Sequence, residues 1–291
     1  TINSKEELES FGHEVTKFST SFPPQINENT GAKWAPSNAE VCNFSKGRWV
    51  VDSRWSLYSG KKCRSWLSGM WACRLTTRTD ISYEGYRWQP ENCTMPDFER
   101  TAFLRRMQHK TIAFIGDSIG RQQFQSLMCM ATGGEDSSEV ENVGEAYGLI
   151  KLPEATRPND FAYRFTNTNT TILYYWSSST PRLQCVYRPP AFMRQFLHQL
   201  DVLVINTGNH WSKGKFKKNR WLIYINGKVN EDRNLARIPV AKNFTVHSIV
   251  QRLDSQISMH PRLKVFFRTI SPRHFSNGEW NTDGNFENTV H

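Results

Sequence analysis

Four short apolar runs, rich in β-branched and aromatic residues, constrain the fold of this chain most. They are TIAFI (111–115), ILYYW (172–176), DVLVIN (201–206) and KVFFRTI (264–270). None alternates apolar with polar, which is the pattern of strands buried on both faces. A helix pattern follows the first run from Gly120 to Ala131, and another, 242–257, precedes the last. Buried strands alternating with helices specify a layered α/β domain around a mostly parallel sheet. AYRF (162–165) is expected to pair with ILYYW through the polar NTNTT turn, and WLIYINGKV reads as an inserted hairpin around Asn226-Gly227. PDFERTAFLRRMQ puts Phe98, Ala102, Leu104 and Met107 on a helix with Pro96 at its start. There is no internal repeat.

Ahead of this domain the character changes. Residues 1–40 are polar and broken by Pro23, Pro24 and Pro36, which predicts a linker or stem. Residues 41–96 hold Cys42, Cys63, Cys73 and Cys93, four of the six cysteines, among Trp, Arg and Gly. That density predicts a small disulfide-stapled lobe made in an oxidising compartment. The remaining residues, 97–291, form the α/β domain. No CxxC pair or zinc-type Cys/His spacing occurs, so no metal site is expected. Glycosylation sequons at Asn43, Asn92, Asn169 and Asn243 agree with a secretory route. No apolar run reaches the roughly 18 residues that span a bilayer. The chain opens at Thr1 without Met and stops at His291 in mid-pattern, which reads as a processed or partial segment whose targeting element lies elsewhere. A formal charge of +10 favours acidic partners: an anionic polysaccharide, a membrane surface or nucleic acid. The ten Trp allow sugar stacking, although burial is the commoner fate of an indole.

Sites in open parallel sheets form outside the carboxyl ends of the strands. After the first run comes Gly116-Asp117-Ser118-Ile119-Gly120-Arg121. A serine bracketed by glycines at a strand-to-helix junction presents its hydroxyl where a helix N-terminus offers N–H groups to an oxyanion. The same turn also suits phosphate binding or a merely tight bend. After the third run come Thr207, Gly208, Asn209, His210 and Trp211, and after the fourth Ser271, Pro272, Arg273 and His274. Asn206, or an N–H near Gly208, can complete an oxyanion hole. His210 and His274 alone among the histidines follow core strands, as base candidates or as structural and substrate-contacting residues. Lys213, Lys215, Lys217, Lys218 and Arg220, interleaved with Trp211, Phe216 and Trp221, make a basic-aromatic patch. The secretory features favour a glycan over nucleic acid there, and a solvated loop is the plain alternative.

Several segments together carry a family resemblance: CNFSKGRWV, YRWQP before Cys93, IAFIGDSIGRQQFQSLMC, DVLVINTGNHW and FFRTISPRHF. In them the chain resembles the plant trichome birefringence-like proteins, a GDSL/SGNH-like group that O-acetylates cell-wall polysaccharides in the Golgi. The likeness covers about 41 to 285. It implies an SGNH-like three-layer domain joined to a small cysteine-rich lobe. Ser118 takes the nucleophile's place, Gly116 and Asp117 complete the motif, and Arg121 and Gln123 hold it. The implied reaction takes acetyl from a donor onto Ser118 and passes it to a sugar hydroxyl, with no bound cofactor. Hydrolysis of the same acetyl esters, or wall-polymer binding without catalysis, are the alternatives. The likeness also implies a Golgi-lumenal protein with an N-terminal membrane anchor, and the bridges Cys42–Cys93 and Cys63–Cys129. Cys73 then lacks its partner and Cys185 is an extra. The family's DxxH block, which supplies the catalytic Asp and His, does not occur before His291.

Overall fold

The computed structural model describes residues 43–52, 57–58, 60–69, 72–75, 81–135, 138–150, 160–177, 191–211, 224–225, 228–234 and 237–269. Two strands, β1 (Asn43–Val51) and β2 (Tyr86–Glu91), pair antiparallel with Trp49 opposite Trp88. A helix α1 (Arg100–Arg106) follows, capped by the Glu99 carboxylate on the N–H groups of Thr101 and Ala102. It begins four residues after Pro96, because the cap and not the proline sets its first turn.

The domain's centre is β3 (Thr111–Gly116), followed directly by α2 (Ser118–Thr132). Then come β4 (Val140–Asn142), β5 (Phe161–Phe165), β6 (Thr170–Trp176), α3 (Ala191–Phe196) and β7 (Val202–Asn206). A short antiparallel pair, β8 (Tyr224–Ile225) and β9 (Lys228–Val229), sits apart from this sheet, as expected of an inserted hairpin. The chain then forms α4 (Ile238–Ile257) and β10 (Lys264–Arg268). The six-stranded sheet runs β10-β7-β3-β6-β5-β4. Its first four strands are parallel, while β5 and β4 are antiparallel additions.

Both faces of the sheet are covered, which is why the core strands read as continuous apolar runs. On one face Ile112, Phe114, Ile172 and Tyr174 pack with Phe124, Met128 and Ala131 of α2, and with Leu104 and Met107 near α1. On the other, Ala113, Ile115, Leu173, Leu203 and Ile205 pack with Phe192 and Phe196 of α3 and Leu253 of α4. The result is the expected three-layer α/β sandwich.

The segment before α1 is fastened to α2. A Cys63–Cys129 disulfide joins residues 66 apart in sequence, and both cysteines are fully buried. Close by, Tyr58 and Ser126 share a hydrogen bond, and Ser68 and Gln125 exchange two. Trp66 meets Tyr163 edge to face at 4.9 Å. Cys93 is also disulfide-bonded, to a partner outside the described side chains. The expected Cys42–Cys93 pairing therefore lies outside them, as do the stem, the Cys73 side chain, Cys185, His274, residues 212–220, Trp221 and the Asn226-Gly227 turn.

Candidate active site

The order β7-β3-β6 places the strand after β6 on the far side of β3, so the connections diverge above β3 and β7. Crevices for ligands open at such a point, at the carboxyl ends of the strands. Parallel register brings together Gly116 and Trp176 on β3 and β6, and Asn206 and Arg268 on β7 and β10. Ser118 is the first residue of α2 and partly exposed. The sequence pattern starts this helix at Gly120; it starts two residues earlier because the Asp117 side chain accepts the Ile119 N–H at 3.0 Å and caps the first turn.

Asp117 is 2% exposed, and its Oδ1 also accepts a 2.6 Å hydrogen bond from Asn206 Nδ2. Asn206, at the end of β7 and 6% exposed, wedges its amide between the two glycines of the motif. A Cβ on Gly116 would lie 2.1 Å from Asn206 Oδ1, and one on Gly120 2.4 Å from the same atom. Both positions require glycine for this close approach, and no other residue fits without displacing Asn206. Gly208 has φ of 98°, a left-handed conformation that lets the chain leave β7 sharply toward His210.

Charge is concentrated here. Arg268 donates from Nη1 to the Ile119 carbonyl at 3.2 Å. Burial lowers the Arg268 pKa, and the Asp117 carboxylate opposes that shift. The Arg121 guanidinium, on the first turn of α2, is 6% exposed and lies over the rings of Trp176, Tyr174 and Phe161 at 5.2, 5.5 and 5.8 Å. A cation over desolvated rings contributes up to about 2 kcal/mol. Asp160, just before β5, accepts the Trp176 N–H. Burial raises the Asp160 pKa, against the Trp176 N–H and the Arg121 charge.

His210 packs its ring 6.0 Å from that of Trp176, so it stands at the same sheet edge as Ser118; Trp211 is buried. Gln123 is exposed, and the glutamine with interior contacts is Gln125. Asn43, Asn92, Asn169 and Asn243 are all exposed. Among the described residues no cluster of His, Cys, Asp and Glu could hold a metal ion, and no helix is long and apolar enough to cross a membrane.

Residues 95–290 match the profile described as the GDSL/SGNH-like Acyl-Esterase family found in Pmr5 and Cas1p. The chain belongs to this family. Residues 40–94 match the PMR5 N terminal Domain that accompanies it. Protein trichome birefringence-like 14 of Arabidopsis thaliana is 60% identical over 266 residues, covering 87% of this chain and 65% of that protein. Protein trichome birefringence-like 15 of the same plant is 54% identical, covering 81% and 52%. Xylan O-acetyltransferase 12 of Oryza sativa subsp. japonica is 29% identical, covering 84% and 49%. The chain thus spans between about half and just under two thirds of these relatives' lengths.

Inspection of the sequence after each strand misses Tyr174, Trp176, Asp160 and Arg268. The signal for Trp176 was present, since it closes an apolar run, whereas Arg268 lies inside the run 264–270 and only the structure ends the strand there. Nothing in the sequence marks Tyr174 or Asp160, whose roles depend on where Arg121 comes to rest.

Proposed function

We propose that this chain carries out O-acetyl transfer through Ser118, moving acetyl from a donor onto hydroxyls of a plant cell-wall polysaccharide. The observation carrying this reading is the placement of Ser118: first residue of a 15-residue helix, at the carboxyl end of the central strand, partly open to the crevice. Helix N-termini favour the oxyanion of an acyl-transfer intermediate, because their N–H groups lack intrahelical partners.

In the first step Ser118 Oγ attacks the acetyl carbonyl carbon while its proton passes to a histidine base. The bond from acetyl to donor breaks, and the departing group takes up that proton. In the second step a sugar hydroxyl attacks the acetyl-serine, its proton returns through the same base to Oγ, and the acetylated polymer leaves. The resemblance assigns the base to a DxxH block; among the described histidines, His210 stands at this sheet edge. The donor is a substrate and not a resident group. The name of the rice relative makes xylan the first polymer to test. The buried disulfide supports maturation in the secretory pathway, and the Golgi lumen, by way of an N-terminal anchor, is the location we assign.

Ser118→Ala tests the reading with p-nitrophenyl acetate as donor and xylan oligosaccharides as acceptor. Acetyl transfer is expected to fall at least ~10³-fold with oligosaccharide binding retained. Unchanged turnover in the variant would remove Ser118 from the mechanism, and wild-type binding without turnover would favour a wall-polymer binder.

A further inference from the structure

We propose that Tyr174 is a positioning residue for Ser118, its phenol fixing the two peptide planes that carry the nucleophile turn; the proposal rests on Ser118 being the nucleophile. Tyr174 lies on β6, is fully buried, and directs its hydroxyl across to the end of β3. Its Oη donates to the carbonyls of both Gly116 and Asp117, at 3.1 and 3.0 Å.

Neither carbonyl depends on the phenol for a partner. Gly116 O also accepts the Ser177 N–H at 2.9 Å, and Asp117 O accepts the Arg121 N–H at 3.1 Å. The hydroxyl therefore adds little to satisfying buried groups, and its contribution is direction. A trans peptide is planar, with C=O and N–H on opposite sides. Fixing the Asp117 carbonyl toward Tyr174 and the helix turns the Ser118 N–H the opposite way, out of the helix end. Fixing the Gly116 carbonyl does the same for the Asp117 N–H.

The phenol is itself held in place. Arg121 lies over its ring, 5.5 Å from the centroid, with Asp160 as a nearby counter-charge. Burial pushes the Tyr174 pKa upward, so the group remains a donor across the working range of pH. A relay thus runs from Asp160 through Arg121 and Tyr174 to the backbone on which Ser118 is mounted. Small displacements of a reacting group carry large rate penalties, up to ~10²-fold for about 1 Å.

Tyr174→Phe removes one oxygen and keeps the ring under Arg121. With p-nitrophenyl acetate, kcat is expected to fall about tenfold to a hundredfold, while KM for the oligosaccharide acceptor stays within about twofold. The rate at which a fluorophosphonate labels Ser118, measured well below the melting temperature, should fall in parallel. A merely structural hydroxyl would lower the melting temperature and leave both rates unchanged, and that result overturns the proposal. If Tyr174→Phe does not fold, Arg121→Lys takes its place, and an unchanged labelling rate there overturns the proposal equally. Ser118→Ala run alongside separates the two ideas. Turnover that needs Ser118 but ignores Tyr174 rejects only the positioning role, whereas turnover surviving Ser118→Ala rejects the nucleophile and the positioning role together.

Discussion

At the scale of single residues, the site is built by exclusion of volume. Gly116, at the end of β3, and Gly120, in the first turn of α2, stand four residues apart across the motif, and the Asn206 amide fills the space their missing side chains leave. Gly120→Ala should therefore destabilise the fold by about 1–3 kcal/mol, as overpacking generally does. The penalty comes from a single neighbour, so it should shrink when Asn206 is also truncated to Ala. A double-mutant cycle in urea reads this coupling directly. Additive penalties would show that Asn206 is not the atom group in the way. This arrangement was half visible in the sequence. The glycines announce a tight strand-to-helix turn, and Asn206 falls at the end of a buried strand. That the Asn206 amide donates to Asp117 could not be read, since the two residues are 89 positions apart and only the parallel register of β3 and β7 joins them.

At the scale of elements, the strands were the most legible part, because burial on both faces leaves an unbroken apolar run. The helix starts were less so. Both α1 and α2 begin where an acidic side chain reaches its own backbone, Glu99 in one case and Asp117 in the other. Neither start is marked by hydrophobic periodicity. The N–H groups of Thr101 and Ala102 hold the Glu99 carboxyl below its ordinary range. The cap therefore stabilises α1 above the usual glutamate pKa, and that stabilisation is lost as the pH falls through the lowered folded-state value. Glu99→Ala should lower the melting temperature modestly at pH 7, and the difference should shrink at an acid pH below the lowered folded-state pKa. An equal difference at both pH values would show that the capping carboxylate is not the source. Asp117 differs in being buried and shared with Asn206, so its helix cap and its part in the site cannot be separated by substitution.

At the scale of the whole molecule, the Cys63–Cys129 bridge ties the segment ahead of the sheet to the last turn of the helix that carries Ser118. Closing a loop of 66 residues contributes about 4 kcal/mol by chain-entropy arithmetic. Replacing both cysteines with serine should lower the melting temperature by on the order of 10 °C. Cys63 followed from the family pattern, whereas Tyr58, Trp66 and Ser68, which surround the bridge, carry no local signal of their contacts with α2 and β5. The amide that braces Asp117 has a consequence in time. Residue 206 leaves the ribosome 89 residues after residue 117, and it reaches Asp117 only once β7 has added to the sheet. Contacts of such long sequence separation form late, after the cost of closing the intervening loop has been met. The nascent chain therefore exposes the serine turn well before it can brace it, and the turn reaches its final geometry only in the late stages of sheet assembly.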